Sequence, residues 1–251
     1  MVFWDQLFEA SDISEQNGEI EMIEDTKIHG FEGTQEIDNK EIADYLRETV
    51  PSEHLDSCPE IVYDPKEDAF QDPNCLGVCY LDSNRIAIAS EERFEDYDSM
   101  LDVLTHEVGH NEHSLIEKLD SDTAAKWEEL YSASMENYNG LGFVSDYAMT
   151  DCHEDFAESY MTYIRDPELL KVMSPEKYTF MKYNVFDGRE YGQAMLNNGI
   201  YVSMDQYMAD VLKNAAEQSG NSTDFEPTYS IQTSGDVSMV SKTYRCFSMI
   251  A

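Results

Sequence analysis

The stretch LDVLTHEVGHNEH, residues 101–113, constrains this chain more than any other part of its sequence. It holds three histidines and two glutamates within eight positions, although the whole chain of 251 residues has only six histidines. Apolar residues recur here at helical spacing and predict a helix with one buried stripe, formed by Met100, Val103, Leu104 and Val108. The histidines and glutamates then belong either to a metal site or to the polar face of an ordinary helix.

The spacing of the first two histidines favours the metal site. In HEVGH, His106 and His110 are four residues apart, which on a helix places both imidazoles on one face and suits two ligands of one zinc ion. Glu107 lies beside His106 and can reach a water on that ion without binding the ion itself. Zinc lowers the pKa of its bound water to about 7, so a neighbouring carboxylate can take the proton as the water attacks a carbonyl carbon.

A catalytic zinc ion usually has three protein ligands and one open position, so a third ligand is needed. His113 lies roughly 10 Å along the helix from the first histidine, whereas zinc–nitrogen bonds are about 2 Å long. We therefore interpret His113 as a surface residue or a neighbour of the site. Glu154 is the better candidate because it begins a separate predicted helix and can approach the pair from the other side. One turn later, Glu158 can accept a hydrogen bond from a ligand histidine, whereas His153 and Asp155 are expected to point elsewhere.

Two segments together suggest a family. HEVGH, followed later by VSDYAMTDCHEDFAES, resembles the catalytic domain of anthrax toxin lethal factor and its relatives, which include the secreted Pro-Pro endopeptidases of clostridia. Those enzymes combine HExxH with a tyrosine seven residues before a ligand glutamate, and Tyr147 stands seven residues before Glu154. The resemblance covers residues 60–187 and implies Glu107 as general base and Tyr147 as the hydroxyl that stabilises the carbonyl oxygen. It implies three zinc ligands, His106, His110 and Glu154.

A tyrosine in this place also has a chemical reason. When water attacks, the carbonyl oxygen becomes an oxyanion, and a phenol can donate a hydrogen bond to it. Without the matched spacing, Tyr147 would be one of 16 tyrosines and would be interpreted as a loop aromatic that covers the core. The segment SPEKYTFMKYNVF also resembles the closing helix of the same family.

The region before the HEVGH helix predicts short elements. NKEIADYLRETV has apolar residues at helical spacing and ends before Pro51. EIVYD predicts a strand, and LGVCYLDSNRIAIAS predicts a hairpin that turns at DSN. We interpret DSNRIAIAS either as the edge strand that lines the cleft of many zincins, where an extended peptide can pair, or as part of a plain hairpin.

The remaining segments predict helices and set the expected architecture. Asp98 or Ser99 is expected to cap the HEVGH helix. Four more helices are predicted, SDTAAKWEELYSASMENY, CHEDFAESYMTYIRD, SPEKYTFMKYNVF and MDQYMADVLKNAA. The expected fold class is α+β, a zincin-like metallopeptidase with a small mixed sheet and an active-site helix followed by a helical carboxy-terminal half. We expect an acidic lead-in with one helix at residues 1–59, the catalytic domain at 60–190 and an extension of unknown role at 191–251.

Charge limits the classes of partner. The chain has 52 acidic and 16 basic residues, a formal net charge of -36. Such a surface repels nucleic acid and anionic membranes, so neither is an expected partner. The acidity fits solubility, a salt-rich habitat or loose cation binding better than charge-steered choice of basic peptides.

No apolar run approaches the length of a membrane span, and the first residues lack the basic start of a signal peptide. Either the protein acts where it is made, or a leader has been removed from a secreted precursor.

The cysteines leave the redox compartment open. There are five, Cys58, Cys75, Cys79, Cys152 and Cys246, so at least one is unpaired within the chain, and no CxxC pair is present. Cys75 and Cys79 either form a bridge or simply pack. Cys152 is interpreted as a small packed residue, with a position near the metal as the alternative.

These patterns together predict a zinc-dependent metalloendopeptidase of the gluzincin kind, with Zn²⁺ as cofactor and a peptide or protein as substrate. Two alternatives remain at this point. One is a catalytically idle zinc-binding structural module on the same scaffold, and the other is a toxin-like or effector-like binding protein whose terminal segments select its partner. The sequence specifies neither the cleavage preference nor the oligomeric state.

Overall fold

The computed structural model describes residues 20–35 and 37–191, and within these ranges the chain has an α+β fold. Its strands are β1 (Glu21–Ile23), β2 (Thr26–His29), β3 (Glu60–Tyr63), β4 (Gly77–Tyr80) and β5 (Arg85–Ile88). Its α-helices are α1 (Asn39–Thr49), α2 (Tyr97–Leu119), α3 (Ser121–Glu136), α4 (Cys152–Arg165), α5 (Pro167–Met173) and α6 (Pro175–Phe180). The predicted helix MDQYMADVLKNAA, the extension after residue 191 and Cys246 lie outside the described residues.

The strands form one mixed sheet in the order β1-β2-β3-β5-β4. The three central strands are parallel, and β1 and β4 are antiparallel edge strands. Pairing of β2 with β3 joins residues on both sides of residue 59, the domain boundary expected from the sequence. The predicted hairpin is confirmed as β4 and β5, with Asn84 in the left-handed conformation at its turn.

Of the two interpretations of DSNRIAIAS, the edge strand is wrong, and the plain hairpin is what the structure has. Its strand, β5, lies between β3 and β4, so the edge of the sheet is β4. The reason is that β5 is apolar on both faces, which suits a strand covered on both sides. Ile86 and Ile88 face the main core, whereas Ala87 and Ala89 face a small second core with Val78.

Helix α2 lies inside the molecule. The predicted stripe of Met100, Val103, Leu104 and Val108 is buried, but so is every other residue from position 100 to position 114. The sheet covers one side of the helix and α4 covers another. The polar side chains of this helix are therefore core groups, and such groups are stable only when other groups satisfy them.

The burial of α2 corrects one prediction about the site. The interpretation of His113 as a surface residue is wrong, because only 3% of it is exposed and its ring stacks on Phe156 with centroids 4.3 Å apart. The pattern of apolar residues in a helix indicates only one of its buried faces. It does not reveal a second layer, here α4, that covers the opposite face.

The start of α2 also differs from the prediction. Its N-cap is Asp96, whose carboxylate accepts the backbone N–H of Ser99 at 2.8 Å, while the Ser99 hydroxyl accepts the backbone N–H of Asp96 at 3.2 Å. This reciprocal pair is a capping box, so Ser99 is the third residue of α2 rather than its cap.

None of the helices in the described ranges has the length and apolar character that crossing a membrane requires.

The described cysteines pack in or beside the core. Cys58 and Cys79 are buried with free thiols, and Cys152 is half-buried with a free thiol. Cys75 is buried, and its thiol donates to the carbonyl oxygen of Gly77 at 3.3 Å. The CLGVC pair therefore packs in the core rather than forming a disulfide.

Candidate metal centre

The close approach of two helices builds the site. A Cβ atom added at Gly109 would lie 3.0 Å from Ala157 Cα and 3.1 Å from Tyr160 Cβ. Only a residue without a side chain leaves room for α4 this close to α2. Gly109 therefore allows α4 to pack close to α2, where His110 Nε2 lies 3.2 Å from Glu154 Oε2.

The first turn of α4 presents Glu154. Its N-cap, Asp151, accepts the backbone N–H groups of His153 and Glu154 at 2.9 and 3.0 Å. A capping carboxylate satisfies two N–H groups that have no partner within the helix, which fixes where the helix begins. The side chain of Glu154 then projects inward and is 5% exposed.

Three side chains meet at one point. His106 Nε2 lies 3.0 Å from His110 Nε2, and Glu154 Oε2 lies 3.2 Å from each of these nitrogens. In a tetrahedral zinc site with bonds of 2.0–2.1 Å, the ligand atoms are about 3.3 Å apart. The triangle formed by His106 Nε2, His110 Nε2 and Glu154 Oε2 therefore has the size that a divalent ion of this kind requires. Among the described residues, it is the one group of three such side chains close enough to hold a metal ion.

The outward nitrogen of His106 has a buried acceptor. His106 Nδ1 donates to Glu158 Oε1 at 2.9 Å, and both side chains are wholly buried. A proton on Nδ1 leaves the lone pair of Nε2 directed at Glu154 and His110. Glu158 thus selects the tautomer that a metal ligand needs.

The charges in the triangle compete for a proton. Burial disfavours a charged His106, but its hydrogen bonds to Glu154 and Glu158 outweigh burial and raise its pKa to about 10. For His110 burial dominates and lowers the pKa. Burial also opposes ionisation of Glu154, yet the hydrogen bonds from both histidines outweigh it and lower the pKa. Without a cation, His106 therefore holds a proton beside the Glu154 carboxylate at the place where a cation fits, and a bound cation would release that proton.

Glu107 lies on the same helix, one residue after His106. It is wholly buried against β4, where a Cβ atom added at Gly77 would lie only 2.7 Å from Glu107 Oε1. Burial raises the pKa of Glu107 to about 8, while the charge of His106 acts in the opposite direction. A divalent cation nearby would favour the carboxylate in the same way as any opposite charge.

Tyr147 is near the triangle as well. It begins a single 3-10 turn, Tyr147–Met149, and its ring centroid lies 6.0 Å from that of His106. The side chain is half-buried, so part of it faces solvent.

The neighbours of Glu154 have other contacts. His153 Nε2 lies 3.2 Å from Glu117 Oε1, and Asp155 Oδ1 lies 2.7 Å from Lys177 Nζ. The Cys152 thiol lies 3.7 Å from His153 Nδ1. None of these three side chains belongs to the group that could hold a metal ion among the described residues.

Some residues that shape the site carried no recognised signal in the sequence. Gly77 gives room to Glu107, Ser145 donates to Glu158, and Lys177 pairs with Asp155 in the core. Only Gly77 had a local signal, since a glycine within a strand often marks a close approach. The roles of Ser145 and Lys177 depend on partners 13 and 22 residues away.

Comparison of the chain with protein-family models, curated proteins and solved structures found no match. The functional interpretation therefore depends on the geometry of the side chains and on the chemistry of their types.

Proposed function

We propose that this protein is a zinc-dependent metalloendopeptidase with a zincin-like fold. The observation that carries the proposal is the triangle of His106, His110 and Glu154, with Glu107 next to it on the same helix. A buried group of two imidazoles and one carboxylate is the donor set of many catalytic zinc sites. The resemblance to the lethal factor and Pro-Pro endopeptidase family supports the same assignment through the position of Tyr147.

The proposed chemistry divides the work between the ion and two side chains. A zinc ion would act as a Lewis acid and lower the pKa of a water to about 7. Glu107 takes the proton of the attacking water and can then deliver it to the leaving amine. Burial raises the pKa of Glu107 and so makes it a stronger base than an exposed carboxylate, and a bound cation nearby would keep it ionised. Tyr147 donates a hydrogen bond to the carbonyl oxygen as negative charge develops there.

Strand β4, at the edge of the sheet, lies next to the proposed base. Leu76 accepts a backbone hydrogen bond from Ala89, so Gly77 and Cys79 direct their backbone N–H and C=O groups away from β5. These groups already face partners within the chain, because the Gly77 carbonyl accepts the Cys75 thiol at 3.3 Å and the backbone N–H of Cys79 faces the Glu107 carboxylate. The edge strand therefore supports the position of Glu107, and the proposal of a peptide substrate depends on the metal centre and Tyr147.

The proposal is tested by metal analysis and a cleavage screen. We expect one zinc ion per chain, and we expect a peptide library to be cut at internal bonds. Addition of 1,10-phenanthroline should abolish cleavage, and zinc added back should restore it. A protein that binds one zinc ion but cuts no peptide would be an idle module on this scaffold. Cleavage that a chelator does not change would contradict the proposed mechanism.

Replacing Tyr147 with phenylalanine is expected to lower kcat on the order of a hundredfold, since one donor to the oxyanion is lost. The zinc content should not change. The matched control is Tyr131→Phe, because the Tyr131 hydroxyl donates to the carbonyl of Met149 at 3.2 Å and thus supports the same turn without the proposed role. Steady-state kinetics on a library peptide measure both variants. An unchanged kcat for Tyr147→Phe, or equal losses in both variants, would remove Tyr147 from the mechanism.

A further inference from the structure

Ser145 lies two residues before Tyr147 and has no part in the chemistry described above. Its hydroxyl donates to Glu158 Oε2 and accepts the backbone N–H of Ala148 at 3.0 Å. One half-buried hydroxyl therefore bonds with the turn that contains Tyr147 and with a buried carboxylate on α4.

The second oxygen of Glu158 connects this contact to the metal centre. Glu158 Oε1 accepts the Nδ1 proton of His106 at 2.9 Å. The chain of hydrogen bonds thus runs from the Ala148 N–H through Ser145 and Glu158 to His106. Each bond in this chain uses a different proton, and Glu158 accepts one bond at each of its two side-chain oxygens.

A local turn would not require this arrangement. The Ser145 hydroxyl satisfies the Ala148 N–H within the turn itself, as serine often does. The additional bond to Glu158 spans 13 residues and ends on the group that orients a metal-binding histidine. The inference depends on this second bond, because the bond joins the Tyr147 turn to the metal centre. These two parts of the site are proposed to act on different atoms of a substrate.

We propose that Ser145 is a positioning residue that holds the Tyr147 turn in register with His106 through Glu158. The functional part of this inference rests on the proposed peptidase activity. The structural part is that a cation bound at the metal centre stabilises the turn, and this part does not depend on peptidase activity. A cation bound by His106 fixes its ring, its Nδ1 proton and Glu158, and the Ser145 hydroxyl transmits this order to Tyr147.

The experiment follows hydrogen exchange of the Tyr147–Thr150 amides by mass spectrometry, with and without zinc alone. In the unmodified protein, zinc should slow this exchange at least severalfold. In Ser145→Ala the effect of zinc on the turn should disappear, while Ser145→Thr, which keeps the hydroxyl, should retain it. Ser57→Ala is the matched control, because Ser57 is half-buried and donates to Asn111 on α2 at 3.3 Å, away from the turn.

The difference made by zinc is the deciding quantity, because a purely structural loss would speed exchange equally in both states. In active protein, Ser145→Ala should also lower kcat by roughly tenfold with KM unchanged, the lower end of the range for losing an outer partner of a metal site. Should Ser145→Ala fail to fold, Ser145→Cys keeps a weak donor of similar size and should show a reduced zinc effect.

The outcomes separate this inference from the peptidase proposal. Slowing of the turn by zinc without any peptide cleavage would support the coupling and refute only the reaction. Full retention of the zinc effect in Ser145→Ala, or no effect of zinc on the turn in the unmodified protein, would overturn the coupling. Normal cleavage with normal kcat in Ser145→Ala would overturn its part in positioning Tyr147 while leaving the peptidase proposal intact.

Discussion

Replacing Glu107 with glutamine is expected to lower peptide hydrolysis by about 10²–10⁴-fold, the usual effect of losing a general base. One zinc ion per chain should remain bound, because the proposed ligands are His106, His110 and Glu154, and Glu107 is not among them. Glutamine has nearly the same shape and fits the space beside Gly77, but its amide cannot accept the proton of an attacking water. The loss should therefore appear in kcat rather than in metal content.

Helix α2 itself offers the matched control. Glu112 is also buried, and burial raises its pKa to about 8, as it does for Glu107. However, Glu112 lies 3.8 Å from His54 on another side of the helix and does not belong to the ligand group. Glu112→Gln should keep the rate of hydrolysis within about twofold of the unmodified protein, because it changes no proposed proton transfer.

The two variants are compared by steady-state kinetics and by elemental analysis of the same preparations. Loss of zinc together with activity in Glu107→Gln would show that Glu107 supports the metal and does not act as the base. Equal loss of activity in both variants would mean that replacing any buried glutamate of α2 impairs the protein, and it would not support a role of Glu107 in proton transfer.

The centre of the site was predictable because it is local in sequence. His106, Glu107 and His110 share one helical turn, so their relative positions follow from helix geometry alone. Tyr147 lies in a 3-10 turn and Glu154 in α4. Glu154 was predicted because it begins a separate helix, and the resemblance to the lethal factor family added Tyr147 through the spacing between them. The structure brings Glu154 to the histidine pair, and Gly109 explains how the two helices come close enough.

The rest of the fold was less predictable because it depends on contacts between distant elements. Strands β1 and β2 lie in an acidic segment without a clear run of apolar residues, and β2 is held by pairing with β3. The burial of His113 follows from stacking on Phe156 of α4, which no pattern within α2 could indicate. The roles of Ser145 and Lys177 depend on their contacts with Glu158 and Asp155, which the chain brings to them only when it is folded.

The largest expected effect on stability concerns the buried pair of Lys177 and Asp155. Replacing Lys177 with methionine is expected to lower the free energy of unfolding by about 3–5 kcal/mol, the usual cost of removing one member of a buried ion pair. Lys177 is 1% exposed, and its Nζ lies 2.7 Å from Asp155 Oδ1 and 2.5 Å from the carbonyl oxygen of Gly142. Methionine fills a similar volume but leaves the wholly buried Asp155 carboxylate without its cation.

A second substitution distinguishes loss of the pair from loss of packing. In Lys177→Met combined with Asp155→Leu, apolar groups replace both charges, and most of the lost stability should return. Urea unfolding followed by circular dichroism, with zinc present and with a chelator, measures each variant and the double variant. A loss below about 1 kcal/mol for Lys177→Met would mean that the charge of Asp155 is satisfied without Lys177. A double variant no more stable than the single one would mean that the lysine side chain acts by packing, which its position 4.0 Å above the Phe143 ring would explain.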